Sequence, residues 1–130
     1  MPARGLVEEA LKTRYNVHPS GKILVLSQYC PWASHLSDIE HEQQIKQCDL
    51  PFYVLYKDTS GAWRVQAIAE SPNSFISRKA LPEPWRGVRD DALSELTGVE
   101  GCIFIHASGF IGGAKTKEST MRLAELALEF

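Results

Sequence analysis

The apolar positions of this chain alternate between helical and strand spacing, and those switches divide it into short elements. Leu6, Val7, Ala10 and Leu11 recur three and four apart, with Glu8 and Lys12 four apart on the polar side. That spacing predicts a first helix over about 3–15. His18-Pro19-Ser20-Gly21 reads as a turn, and Ile23-Leu24-Val25-Leu26 as a short buried strand. A second helix is expected from Pro31 to about Glu42, with the proline in the first turn, where a missing N–H is tolerated. The polar run over 42–47 belongs to the surface.

The clearest strands follow. Phe52-Tyr53-Val54-Leu55-Tyr56 and the run over 63–68 flank the polar loop Asp58-Thr59-Ser60-Gly61, a pattern that predicts an antiparallel hairpin. Alternation sets Trp63, Val65 and Ala67 on one face and Arg64, Gln66 and Ile68 on the other. Residues 70–89 carry Pro72, Pro82 and Pro84 and read as irregular. A short helix is expected over 90–96, capped by Asp90 or Asp91 and ended by Gly98. Residues 102–105 are expected to form the last strand and 116–130 the last helix, whose Met121, Leu123, Ala124, Ala127 and Leu128 form a core-facing stripe. The prediction is an α+β fold: a mixed sheet of about four strands with helices packed on it, in the order αβαββαβα.

Composition narrows the function classes. The 130 residues suit one domain over 1–130, with 44% hydrophobic and 23% charged positions, ordinary for a globular protein. A formal net charge of −2 means that any nucleic-acid contact must come from a local patch. Three cysteines, with no CxxC pair, argue against a disulfide framework or a cysteine-rich zinc site and fit a soluble, intracellular protein. No apolar run approaches membrane-spanning length, and the N-terminus carries no targeting signal.

The chemistry concentrates in Cys102-Ile103-Phe104-Ile105-His106-Ala107-Ser108-Gly109-Phe110-Ile111-Gly112-Gly113, read as a strand running into a glycine-rich turn with a helix behind it. Gly109, Gly112 and Gly113 would let backbone N–H groups approach an anion at the helix start. The alternative reading is that glycine there only turns the chain, as in many strand-to-helix connections. His106, at the strand end, could donate to a phosphate or be satisfied by backbone. A second concentration is Arg78, Lys79, Arg86 and Arg89 around Trp85, which would suit phosphates and a stacked base. Composition favours a solvated loop with Trp85 plugged into the core. His35, Asp38, Glu40 and His41 match no metal-binding spacing and read as wet helix surface. Ser108 lies outside any GxSxG elbow.

At these motifs the chain resembles the C-terminal domain of the Myg (melanocyte proliferating gene one) family, exonucleases related to the DHH phosphoesterases. The matching pieces are Leu6-Val7-Glu8-Glu9-Ala10-Leu11, Cys30-Pro31-Trp32, Gly61-Ala62-Trp63-Arg64-Val65-Gln66, Leu81-Pro82-Glu83-Pro84-Trp85-Arg86-Gly87-Val88-Arg89-Asp90 and His106-Ala107-Ser108-Gly109-Phe110-Ile111-Gly112-Gly113. The resemblance implies a fold like a DHH-associated C-terminal domain, which closes over a metal centre and holds the substrate. It implies substrate contacts at His106, Ser108, Gly109, Gly112 and Gly113, with Arg64, Arg86 and Arg89 on phosphate. No cofactor belongs to this chain on that reading. Divalent metals, and the catalysis they support, belong to a DHH-like N-terminal domain whose Gly-Thr-Phe-His-Cys-Asp motif has no counterpart here. After the paired glycines the family tends to place Asn or His, where this chain has Ala114.

The function so implied is the substrate-binding part of a metal-dependent 3′–5′ RNA exonuclease, not catalytic alone. Its expected partners are single-stranded RNA or another phosphoester and the DHH-like domain, with a homo-oligomer left open. The family implies mitochondrion and nucleus. The alternative is a stand-alone module for a small anion, a nucleotide or a protein partner, the last favoured if Trp85 were exposed.

Overall fold

The computed structural model describes residues 3–70 and 76–130. Among the described residues four α-helices and five strands, besides two short 3-10 turns, build it: α1 (Ala3–Val17), β1 (Ile23–Val25), α2 (Ala33–Glu42), β2 (Tyr53–Lys57), β3 (Trp63–Ala67), α3 (Asp90–Thr97), β4 (Cys102–Ile105), β5 (Ile111–Ala114) and α4 (Lys117–Leu128). They form one mixed sheet in the order β1-β2-β3-β5-β4. β1 and β2 are parallel, joined by α2 as a crossover, and the other pairings are antiparallel.

The α+β class is as expected, with one correction to the order. Residues 111–114 are a fifth strand, so the chain runs αβαββαββα. The glycine-rich segment is therefore the tip and return strand of a hairpin, and α4 does not start directly behind it. Gly112 and Gly113 have no positive φ; they sit in extended backbone between β3 and β4. The expected caps also shift. Arg89, not Asp90 or Asp91, occupies the cap position of α3, without a side-chain cap bond, and Asp90 turns the corner at φ +50°. Gly98 ends α3 in left-handed geometry, as expected, and Thr116 caps α4 by accepting from the Ser119 N–H at 3.1 Å.

Burial explains why the strands read differently. Tyr53, Val54, Leu55 and Tyr56 of β2 are all buried because both faces of that strand are covered. On one face Tyr53 and Leu55 join Val65, Ala67, Ile105, Ala114, Leu123 and Trp85 in a core closed by α3 and α4. On the other, Val54 and Tyr56 join Leu24, Leu26 and Ile68 beneath α1 and α2. Beyond β2 that second cover stops. Arg64 and Gln66 of β3, Ile111 of β5 and Phe104 of β4 are only partly buried, and no described helix packs on them. The sheet thus has one full face and one half-open face.

A β-bulge decides what stands on the open half. Cys102 pairs with Ala114 and Phe104 with Gly113, so one extra residue is inserted between them. Cys102 and Ile105 both reach the α3/α4 core although they are an odd number of residues apart. The bulge turns Phe104 to the open side. The outer edge of β4 is covered by the Trp85 segment: Gly87 donates to Ile105 O at 2.9 Å, Ile105 donates to Val88 O at 3.1 Å, and Arg89 bridges Phe104.

Two charged contacts fix the loops. Arg78 donates from both Nη atoms to Glu40, at 2.8 and 2.5 Å, and from Nη1 to Pro51 O at 3.0 Å. Glu40 is therefore buried, contrary to its expected place on wet helix surface. In the β2–β3 turn, Asp58 Oδ1 accepts from Ser60 N, Ser60 Oγ and Ala62 N at 2.8, 2.6 and 3.1 Å. The Ser60 hydroxyl first, then the turn amides and Arg64, hold the Asp58 carboxyl below the usual carboxylate range.

Replacing Glu40 by Gln strands the buried Arg78 charge and should cost about 3 kcal/mol in urea denaturation. Glu40→Gln with Arg78→Met should recover most of the loss; a single variant as stable as the parent would sink the claim. For Asp58 the folded pKa is depressed. Its stabilisation is complete above the unfolded value of about 3.9 and is lost as pH falls through the folded one. The stability gap between the parent and Asp58→Asn should accordingly be wider at about pH 7 than at about pH 3.

Candidate functional site

The open half-face carries one continuous cross-strand row. Tyr56 of β2 pairs with Arg64 of β3, Arg64 with Gly113 of β5, Gly113 with Phe104 of β4, and Phe104 with Arg89 at the edge. Directly paired residues share a face, so these five stand side by side. Gly113 makes the row work. A Cβ there would lie 3.4 Å from the Phe104 ring, 3.8 Å from Arg64 Cγ and 2.9 Å from Trp63 O. Without one, Arg64 crosses over β5 and sets its guanidinium 5.2 Å from the centre of the Phe104 ring.

Arg64 is held on two sides. Its Nε donates to Asp58 Oδ2 at 3.2 Å, and Phe104 lies under its plane. Neither Nη group has a protein partner among the described residues. A guanidinium fixed at Nε and on one face, with both Nη donors free, is a preorganised fork for a phosphate or carboxylate. Arg89 is exposed at the far end of the row. Tyr56 donates to Gln66 Oε1 at 3.0 Å. Burial first, then Tyr29, pushes the Tyr56 phenol upward, so it remains a neutral donor.

The hairpin tip holds other expected residues. His106 donates its backbone N–H to Ile111 O at 2.8 Å, one row on from Phe104. Its Nδ1 accepts from the Ser108 N–H at 3.1 Å and lies 2.9 Å from Ser108 Oγ. This places the proton of the neutral ring on Nε2, which is left as a donor. His18 and Ser20 make the same local arrangement in the turn before β1, so it is a turn-forming device as well. Gly109 takes φ +77° at the tip, and a Cβ there would lie 3.1 Å from Leu81 O and against Arg86. Arg86 itself donates from Nε to Leu81 O at 3.0 Å.

Of the expected contact residues, then, Arg64, Gly113 and Arg89 meet on one row, with His106 next to it. Ser108, Gly109 and Arg86 build the tip. Gly112 faces the opposite way, against Ile105 and Leu81 of the core. Ala114 is likewise fully buried on the core side, so a longer polar residue at that position would point away from the open face. Trp85 is 3% exposed and packed edge-on to Phe130 at 5.6 Å, which removes it as a stacking platform or protein contact. Arg78 is committed to Glu40, and Lys79 donates to Leu128 O and Phe130 O at the end of α4.

Sequence reasoning missed Asp58, Tyr56, Tyr29 and Phe104. Asp58 was legible as a turn former, but its second role depends on Arg64 lying across the sheet. A hollow of about 490 Å³ opens beside the row, lined by Tyr29, Tyr56, Asp58, Thr59, Arg64 and Ile111 among others. Another of about 500 Å³, along α1, is lined by Glu8, Glu9, Lys12 and Arg14, charges of both signs. Among the described residues no group of three His, Cys, Asp or Glu side chains is placed to hold a metal. The donor set here does not fit a divalent ion. No helix formed by the described residues is long and apolar enough to cross a membrane.

Comparison with known proteins adds the family. The relatives include the "MYG1 protein YER156C" of Saccharomyces cerevisiae, 52% identical over 98% of this chain and 37% of the relative. The "MYG1 protein" of Dictyostelium discoideum is 50% identical over 95% of this chain and 37% of the relative. The "MYG1 exonuclease" of Homo sapiens is 49% identical over 98% of this chain and 34% of the relative. The chain spans about a third of the length of these relatives. No solved structure matches it significantly. The MYG1_exonuc family model, described as Uncharacterised protein family (UPF0160), matches residues 1–128, and on that match this chain belongs to the MYG1 exonuclease family.

Proposed function

We propose that this chain is the substrate-holding part of a metal-dependent exonuclease that removes nucleotides from the 3′ end of RNA. The half-open sheet face would be its phosphodiester-binding surface. The observation that carries the reading is Arg64: tied at Nε to Asp58, laid on Phe104, and left with two free Nη donors beside the exposed Arg89. Two arginines on a part of the sheet face that no described helix covers suit the spaced phosphates of a single strand. Gly113 keeps the floor between them low, and His106 Nε2 offers a further donor one row away.

In this division of labour the chain binds and orients, and the chemistry lies elsewhere. Divalent metals, held by residues of the longer protein outside this chain, would supply the activated water. The open face is then the side that meets the metal-bearing domain, with RNA between the two. Work on RNA in mitochondrion and nucleus goes with the same reading. With a net charge of −2 the chain has little long-range pull on a polyanion, so its binding alone should be weak and sensitive to salt.

Titrating a short labelled single-stranded RNA against the chain at several salt concentrations tests this. Arg64→Ala and Arg89→Ala should each weaken binding and flatten the plot of log affinity against log salt by about 0.7. Arg64→Lys should not restore the parent value, because a point charge does not replace the fork. Lys12→Ala, on α1, should change nothing. Hydrolysis of RNA by this chain alone with added divalent metal would overturn the division of labour.

A further inference from the structure

The hollow beside Arg64 has an aromatic wall that phosphate binding does not use. Tyr29 follows β1 in the loop leading to α2, and the residue is 62% exposed. It is not loose: it leans on Tyr56, with ring centres 5.2 Å apart and planes tilted by 50°. Tyr56 is itself buried and anchored through its hydroxyl to Gln66. Tyr29 therefore has one side braced by protein and the other turned to solvent. Tyr56 is the direct cross-strand partner of Arg64, so the braced ring and the free guanidinium fork border one hollow.

Phe104, the other aromatic of the row, is already covered by the Arg64 guanidinium. Tyr29 is the ring that lines the hollow beside Arg64 with room for a flat ligand. The hollow, at about 490 Å³, falls within the size range of small-molecule sites. Charge complementarity and the family together set the class of occupant: an anion at Arg64 joined to a planar group at Tyr29 suits a nucleotide unit, the ligand class expected of a MYG1 exonuclease relative, better than a bare phosphate.

We propose that Tyr29 is the stacking platform of a nucleobase subsite, receiving the base of the nucleotide whose phosphate Arg64 holds. This rests on the phosphodiester-binding reading of the open face and deepens it. Stacking on a tyrosine ring tolerates any base, so the subsite selects nucleic acid without selecting sequence. Tyr29 holds the base by its ring, so the hydroxyl is dispensable and the aromatic plane is not.

The test uses anisotropy titrations of a short labelled oligouridylate at low salt, beside the same oligomer with its bases removed. Tyr29→Ala should weaken binding of the intact RNA about tenfold, and Tyr29→Phe should retain it. The abasic oligomer should bind the parent about tenfold more weakly and should not distinguish the parent from Tyr29→Ala. A thermal melt of each variant checks the fold, which a mostly exposed ring should not disturb. If Tyr29→Ala weakens intact and abasic oligomers equally, the ring does not read bases and the proposal is overturned. It is also overturned if Tyr29→Ala binds intact RNA like the parent while Arg64→Ala does not; the phosphate-binding reading then survives. If the parent binds no RNA, or Arg64→Ala leaves binding unchanged, both readings fall together.

Discussion

Burial of β2 on both faces is the constraint on which the rest of the structure depends. Its successive side chains go alternately into the α3/α4 core and beneath α1 and α2, and all of Tyr53, Val54, Leu55 and Tyr56 are withdrawn from water. Two helical layers must therefore be present at β2. Only one of them continues over β3, β5 and β4, because α4 packs on β3 and β5 and α3 on β4 from the core side, while the α1/α2 layer stops short. The hydrophobic contribution is thus complete on one side and interrupted on the other. The interruption leaves a strip of sheet whose side chains can be polar without an unpaired burial cost.

What occupies that strip follows from three small features acting together. The bulge in β4 brings Phe104 onto the open side and still returns Ile105 to the core. Gly113 removes the side chain that would separate Arg64 from Phe104. The Asp58 turn fixes the guanidinium at Nε. Each is a backbone device, and each costs local regularity: an extra residue, a missing Cβ, a turn held by a carboxylate. Together they convert a flexible surface arginine into an oriented one. That orientation distinguishes this row from Lys12 or Lys46 elsewhere on the surface, where positive charge stands without a frame.

The family relationship covers nearly the whole of this fold. Relatives about three times as long match 95–98% of this chain at 49–52% identity. With a formal net charge of −2, positive charge on this chain acts locally rather than in bulk.

The periodicity of the sequence located α1, α2, β1, the β2–β3 hairpin, α3, β4 and α4 to within a few residues. Side-chain spacing of 3.6 or 2 is a local property, written into consecutive positions. The same logic correctly assigned Arg64 and Gln66 to one face of β3 and Val65 and Ala67 to the other. It failed at 111–114, where Ile-Gly-Gly-Ala offers little β propensity and two glycines suggest a turn. That segment is a strand because β3 and β4 supply hydrogen-bond partners on both sides, which no local signal announces. It failed again at Glu40, whose burial depends on Arg78, remote in sequence. Phe104 faces outward only because a bulge breaks the alternation that sequence reading assumes. The sequence by itself determined the elements and the residue types available for anion binding. Which of those residues share a surface was decided by strand order, register and one inserted residue, because these depend on contacts between segments far apart along the chain.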